Sequence, residues 1–345
     1  MKPKARFFAD KTESGVRCAL CPRGCDIPNG GLGSCGVRGC ENGKGVLPFY
    51  GHVTAMSMDP VEKKPLFHFR PGSSIFSVGF VGCNLRCPFC QNWRISRNVS
   101  VQGNRMTPAD IVSIALRKDA GAIAFTYSEP LVHAEFLLDC MSLARRRGIA
   151  NVLVTNGCAG GDAAEQILSL ADAVNVDLKC FSGDTYSMIL GAPREGGRGT
   201  VFDFIRLARA KDVHVEVTTL VVPGMNDSAG ELDACADFIA SVNAETDGPG
   251  IPWHLSAYRP DYQWKAPPTD PAFLSGLKKR AGKKLAFVYA GNVPGEENDT
   301  SCHGCGKLLL RRLGYRTEKH GLSASVGGGA FFSCSHCGVK TGIVS

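Results

Sequence analysis

From residue 75 to residue 289 the chain alternates short apolar, β-branched runs with helix-patterned stretches, and this rhythm narrows the fold to a few architectures. The runs lie at 75–81, 122–127, 151–155, 173–178, 213–222, 253–257 and 285–289. They are short and nearly continuous in apolar character, as expected of parallel strands covered on both faces. Helix patterns fall between them at 108–118, 132–147, 162–170, 201–210, 231–241 and 270–281. The first opens on Thr107-Pro108, an N-cap residue followed by proline at the first helical position. The expected fold class is therefore α/β. Repeated βα units build either an open doubly wound sheet or a complete or partial barrel. In both, chemistry sits at the C-terminal ends of the strands. Those ends run into Gly82-Cys83, Ser128-Glu129-Pro130, Asn156-Gly157, Lys179, Pro223-Gly224 and Tyr258-Arg259-Pro260.

Length and composition set the outer limits. A chain of 345 residues, 44% hydrophobic and 21% charged, can bury one large α/β core with appendages and does not read as disordered. No run approaches 18 consecutive apolar residues, so no membrane span is expected. Residues 1–15 carry charges throughout and lack an apolar stretch; a secretory signal is not expected, and a cytoplasmic location is. The net charge of +7 is spread along the chain, and its densest clusters, at 145–147, 278–280 and 311–312, read as solvated helix faces. This charge permits nucleic-acid binding without arguing for it.

Sixteen cysteines in a chain expected to stay reduced do not form a disulfide framework. Twelve fall in three tight groups: Cys18, Cys21, Cys25, Cys35 and Cys40; Cys83, Cys87 and Cys90; and Cys302, Cys305, Cys334 and Cys337. Such spacing marks metal ligands. The isolated Cys140, Cys158, Cys180 and Cys235 read as small core hydrophobes.

The central group, Cys83-x3-Cys87-x2-Cys90, follows the first parallel strand and puts three thiolates on one loop. Three ligands leave one coordination position open, which catalytic metal sites require and closed structural sites do not. This loop resembles that of the radical SAM superfamily. The resemblance narrows to the pyruvate formate-lyase activating enzyme group and, within it, to AmmeMemoRadiSam-system radical SAM enzymes. It is carried by Glu62-Lys63-Lys64-Pro65-Leu66-Phe67-His68-Phe69, Cys87-Pro88-Phe89-Cys90-Gln91-Asn92 and Tyr127-Ser128-Glu129-Pro130. Thr155-Asn156-Gly157, Asp177-Leu178-Lys179 and Val222-Pro223-Gly224-Met225-Asn226-Asp227 extend it over almost the whole chain.

The resemblance implies a partial (β/α)6-type barrel whose cysteine trio holds a [4Fe–4S] cluster. The free iron would chelate S-adenosylmethionine, which one electron cleaves to a 5′-deoxyadenosyl radical that takes hydrogen from a substrate. It also implies roles for neighbouring positions. Phe89 would pack near the adenine and Asn92 would contact the cofactor. Ser128-Glu129 would hold its amino group, and Thr155 and Asn156 would stand close by. Asp177 and Lys179 would form a pair whose lysine meets its carboxylate. Two positions depart from the activating-enzyme pattern: Val154 replaces an aspartate linked to a monovalent cation, and Tyr258-Arg259 stands where a histidine is expected.

The flanks read as metal sites of their own. Cys302-x2-Cys305 and Cys334-x2-Cys337, each followed by glycine, read as a four-cysteine zinc ribbon, with His303 and His336 as bystanders. Cys18, Cys21, Cys25 and Cys35 read as ligands of zinc or of an auxiliary cluster, with Cys40 as a spare thiol or a replacement for Cys35. The expected division is a cysteine-rich segment at 1–55, a barrel at 56–292 and a ribbon at 293–345. An external ferredoxin- or flavodoxin-like donor would supply the electron. The substrate is not legible; an activase acting on a partner protein and a noncatalytic nucleic-acid-binding zinc/iron–sulfur module are the rival readings.

Overall fold

The computed structural model describes residues 3–246, 248–324 and 331–345. Seven parallel strands form its centre: β1 (Ser74–Phe80), β2 (Ala122–Thr126), β3 (Ala150–Thr155), β4 (Ala173–Asp177), β5 (His214–Val221), β6 (Trp253–Ala257) and β7 (Val288–Gly291). Each pairs with the next in simple sequential order. Strand His52–Pro60 adds antiparallel to β1, and the short Asn104–Arg105 adds outside it.

Sequential order decides between the two architectures that the sequence leaves open. Right-handed crossovers that always step the same way put every helix on one face of the sheet. The other face must curl upon itself, giving a partial barrel rather than a doubly wound sheet. Helices α1 (Trp93–Arg97) and α2 (Pro108–Arg117) bridge β1 to β2, and α3 (Ala134–Arg146) and α4 (Gly161–Leu168) make the next two crossovers. α5 (Gly183–Met188), α6 (Gly197–Ala210), α7 (Ala229–Ala244) and α8 (Pro271–Ala281) complete the outer layer. Six βα units and a closing strand result. Among the described residues the two sheet edges do not pair, so the barrel stays open.

The helix ends follow from their caps. Thr107 and Asp110 form a reciprocal capping box at α2, and Ser228 and Asp270 cap α7 and α8 with their side chains. The final strand begins three residues later than expected: Leu285 and Phe287 are buried, but pairing with β6 starts at Val288. Strand His52–Pro60 crosses the boundary expected at residue 55 and belongs to the central sheet. Cys140, Cys158, Cys180 and Cys235 all lie in the hydrophobic core.

The segment from Glu62 to Phe69 joins the barrel to the C-terminal sheets. Buried Glu216 on β5 accepts the backbone N–H groups of Phe67 (3.0 Å) and His68 (2.7 Å) and the Nε2 groups of His214 and His254. Burial raises its pKa, but His214 and His254 outweigh burial and hold it well below the ordinary value. On the other side, Arg312 donates to the Phe67 carbonyl at 2.7 Å, Thr317 donates to Glu62 at 2.7 Å, and Val344 N–H donates to the His68 carbonyl at 2.7 Å. Among the described residues no helix is long and apolar enough to cross a membrane.

Candidate radical-generating site and flanking metal sites

The loop after β1 carries Cys83, Cys87 and Cys90 at the C-terminal end of the sheet. Gly82 makes the turn in the left-handed region (φ 81°); a Cβ there would lie 2.6 Å from the Cys35 carbonyl, so only glycine lets the N-terminal segment pack this closely. Beyond the trio, the Pro88 carbonyl accepts the N–H groups of Gln263 (2.8 Å) and Trp264 (3.0 Å), which fastens the loop to the segment after β6.

Three further strand ends converge on this loop. Asn156, after β3, points Nδ2 at Cys83 Sγ (3.8 Å) and at Asn84 Oδ1 (2.9 Å). Glu129, after β2, is buried and accepts from Thr155 Oγ1 (2.5 Å), Asn156 N–H (2.8 Å) and Leu131 N–H (3.0 Å). It thus caps the short helical turn Pro130–His133 and also ties β2 to β3. Burial lifts its carboxyl to about 7, against the three donors that favour the charged form. Ser128 Oγ beside it is buried without a partner, an orphaned group of the kind a bound ligand satisfies.

After β4, Lys179 Nζ pairs with Asp177 at 3.0 Å. Burial disfavours the ammonium, but Asp177 and the Cys87 thiol outweigh burial and raise the lysine's pKa. Lys179 in turn opposes the burial that pushes the Cys87 thiol up, as does Arg97. Burial, with Glu129 and Cys87 nearby, pushes the Cys83 thiol up as well. Thiolates form in such a place when a metal supplies the missing positive charge. Phe89 is buried in the loop, and Asn92 is exposed at the start of α1 with no side-chain bond to the cap.

Sequence reasoning missed several members. Asn84 and Arg97 are the nearest; their positions, one after Cys83 and seven after Cys90, were the available signal. Tyr127 has a left-handed backbone (φ 74°), uncommon for a non-glycine residue. It is held by its hydroxyl on Asp59 (2.7 Å) and by Lys64 over its ring (4.7 Å). Lys64 pairs with Asp59 at 2.6 Å in the interior. The residues before Ser128 are thereby fixed by the Glu62–Phe69 segment.

Residues 77–235 match the radical SAM superfamily. An uncharacterized protein of Methanocaldococcus jannaschii is 37% identical over 348 residues, covering 99% of each chain. The pyruvate formate-lyase-activating enzyme of Clostridium pasteurianum is 29% identical over 186 residues, 51% of this chain and 74% of its own. The chain belongs to the radical SAM superfamily. It is a radical SAM enzyme of the pyruvate formate-lyase activating enzyme-like group. Among solved structures, a radical SAM methyltransferase from Sphaerobacter thermophilus shares the fold, with a TM-score of 0.51 at 15% identity over 70% of this chain and 71% of its own. Radical SAM enzymes work with a [4Fe–4S] cluster and S-adenosylmethionine, and a loop of three thiols beside an orphaned hydroxyl and a half-buried lysine suits both.

A cavity of about 770 Å³ reaches this radical SAM loop at Gln91. Its walls include Thr218, His254 and Arg259 from the barrel and Arg312 and Tyr315 from the C-terminal sheets. In those sheets Cys302, Cys305, Cys334 and Cys337 bring their sulfurs within 4.8 Å of one another and can hold a metal ion. Both knuckles fold alike: Gly306 N–H donates to the Cys302 carbonyl and Gly338 N–H to the Cys334 carbonyl, with φ of 73° and 75°. His303 and His336 are exposed. At the N-terminus, Cys18, Cys21, Cys25 and Cys35 line one small cavity, whereas Cys40 is buried away from it in strand Gly39–Glu41.

Proposed function

We propose that Cys83, Cys87 and Cys90 ligate the catalytic cluster and that the adjoining strand ends bind S-adenosylmethionine. Reduced by one electron, the bound cluster and cofactor supply a 5′-deoxyadenosyl radical that abstracts hydrogen from a substrate. The chain's own residues orient and shield. Lys179 neutralises the cofactor carboxylate while Asp177 holds the lysine in place. Ser128 and the Glu129 backbone receive the amino group. The Glu129 carboxylate keeps Thr155 and Asn156 in register, Phe89 packs on the adenine, and Asn92 contacts the cofactor from the start of α1.

One observation carries this reading. Asn156 and Lys179, from two different strands, converge on a three-thiol loop that offers no fourth cysteine. The reacting part of the substrate enters through the 770 Å³ cavity. Two relatives are named as activating enzymes, for pyruvate formate-lyase and benzylsuccinate synthase, which supports a protein substrate and a low-potential electron donor of the ferredoxin or flavodoxin class. The C-terminal quartet holds structural zinc, and the chain divides into a cysteine-rich segment, a barrel and a ribbon. We assign the enzyme to the cytoplasm.

Anaerobically purified protein with dithionite and S-adenosylmethionine should be brown and should release 5′-deoxyadenosine. Alanine at all three of Cys83, Cys87 and Cys90 should abolish release while the C-terminal zinc stays. Release that survives the triple substitution would overturn the assignment.

A further inference from the structure

Cys18 ends strand Gly15–Cys18, Cys21 and Cys25 lie in the turn leading to strand Asp26–Pro28, and Cys35 lies in a turn closed by Gly36 N–H on the Gly33 carbonyl (2.8 Å). All four line one cavity with apolar Leu20, Ile27 and Val132.

They are not drawn together as tightly as the C-terminal four. Zinc–sulfur bonds of about 2.3 Å put the sulfurs of a four-cysteine site about 3.8 Å apart. The C-terminal quartet meets that distance, with pairs at 3.6 and 3.7 Å. Among the described residues it is the group whose ligand atoms come within 4.8 Å of one another, and the N-terminal thiols share their cavity at wider spacing. A four-iron cubane takes its thiolates at separate corners and needs such spacing. The radical SAM trio is spread in the same way.

Two further observations point to an anionic group in the cavity. Arg38 is 1% exposed and lines it; its Nη atoms bind Glu135 at 2.7 and 2.9 Å, but its Nε has no partner. Arg23, on the same wall, also has a buried Nε without a partner. The wall facing the barrel is Asn84, covalently next to Cys83; its backbone carbonyl accepts from Arg23 (3.4 Å), and its side chain reaches Cys83 through Asn156.

We propose that Cys18, Cys21, Cys25 and Cys35 ligate a second [4Fe–4S] cluster, the port through which electrons reach the catalytic cluster. The step moves one electron and no atoms: a reduced ferredoxin- or flavodoxin-type donor is oxidised by one electron, and the catalytic cluster is reduced by one across Asn84. The metal assignment stands on the N-terminal residues alone; the port role rests on the radical SAM reading of the trio.

The test uses anaerobic full-length protein in three forms: wild type, the trio changed to alanine, and Cys21→Ser with Cys25→Ser. Wild type should carry about eight irons, and each variant about four, with one zinc retained in all as the measure of correct folding. An N-terminal variant that keeps its iron and loses a zinc, or loses no metal, overturns the second cluster. A trio variant that keeps its iron refutes the catalytic assignment instead. After reduction, the wild-type electron paramagnetic resonance spectrum should be broadened by coupling between two neighbouring spins. A spectrum equal to the sum of the two variants' spectra would overturn the port.

Discussion

The C-terminal and N-terminal cysteine groups use the same residue and the same Cys-x2-Cys beginning, yet they fold into different sites. The C-terminal four come from two knuckles with the same closing hydrogen bond, each ended by a glycine with positive φ, and their sulfurs lie within 4.8 Å of one another. The N-terminal four come from one hairpin and one later turn and face each other across a cavity walled by arginines and by the radical SAM loop. A thiolate set is thus sorted by the distance the backbone holds between sulfurs, not by its spacing along the chain. Closed spacing leaves no position for chemistry, whereas the wider spacing beside the catalytic loop is the arrangement on which the proposed second cluster rests.

The sharpest way to break this comparison is to remove the closed site. Cys302→Ser with Cys337→Ser should cost one zinc per chain and unfold residues from about 300 onward, because binding and folding of such knuckles are one event worth on the order of 10 kcal/mol. Iron content should not change. Zinc and iron measured on the purified variant, with hydrogen exchange, decide it; iron lost together with zinc would mean that the two regions are not independent.

A smaller effect separates open from closed sites. Lys179→Ala should weaken S-adenosylmethionine binding about ten- to a hundredfold, since a charge-assisted hydrogen bond contributes roughly 1.5–3 kcal/mol. Its iron should be intact. His336→Ala, beside the closed quartet, should alter neither cofactor affinity nor zinc content. Calorimetric titration of both variants checks the pair, and tight binding by the lysine variant would leave Lys179 as the ion-pair partner of Asp177 alone.

The smallest effect is a pH dependence at the joint to the C-terminal sheets. Burial drops His68 from 6.5 to about 3, against the charge of Glu216, and its ring bonds Tyr289 (2.7 Å) at the joint to the C-terminal sheets. The unfolded chain therefore binds one more proton between those values. Stability from neutral His68 is complete above pH 6.5 and is lost as pH falls through 6.5 toward 3, by at most about 1.4 kcal/mol per pH unit. Hydrogen exchange at pH 5 should speed up around residues 308–319 relative to pH 7, and His68→Phe should remove part of that acceleration. Acceleration unchanged in the variant would remove His68 as the cause.

Much of this was legible because it is local. Six of the seven parallel strands fall within one or two residues of the apolar runs, since a strand buried on both faces must be written as such a run. The trio, the paired knuckles and Glu129, Asn156 and Lys179 at strand ends were legible for the same reason. What was not legible depends on contacts between distant segments. Nothing near Asn84 announces that Asn156 holds it, and Asp59 gives no local sign that it carries Lys64 and Tyr127. Glu129 illustrates the limit: the sequence offers a helix cap or a cofactor residue, and the folded chain makes it a cap that also binds the end of the next strand.

By itself, then, the sequence determined the alternation of strands and helices and the grouping of the thiols, and its resemblance to a family implied the chemistry. Those properties follow from backbone periodicity and ligand type, which a few neighbouring residues fix. Only the tertiary structure decided that the strands run in sequential order and curl into an open barrel, that Glu62–Phe69 fastens the ribbon to it, and which thiols face one another. Sheet order, long-range hydrogen bonds and sulfur–sulfur distances are set by how segments a hundred or more residues apart pack, and no local pattern carries that information.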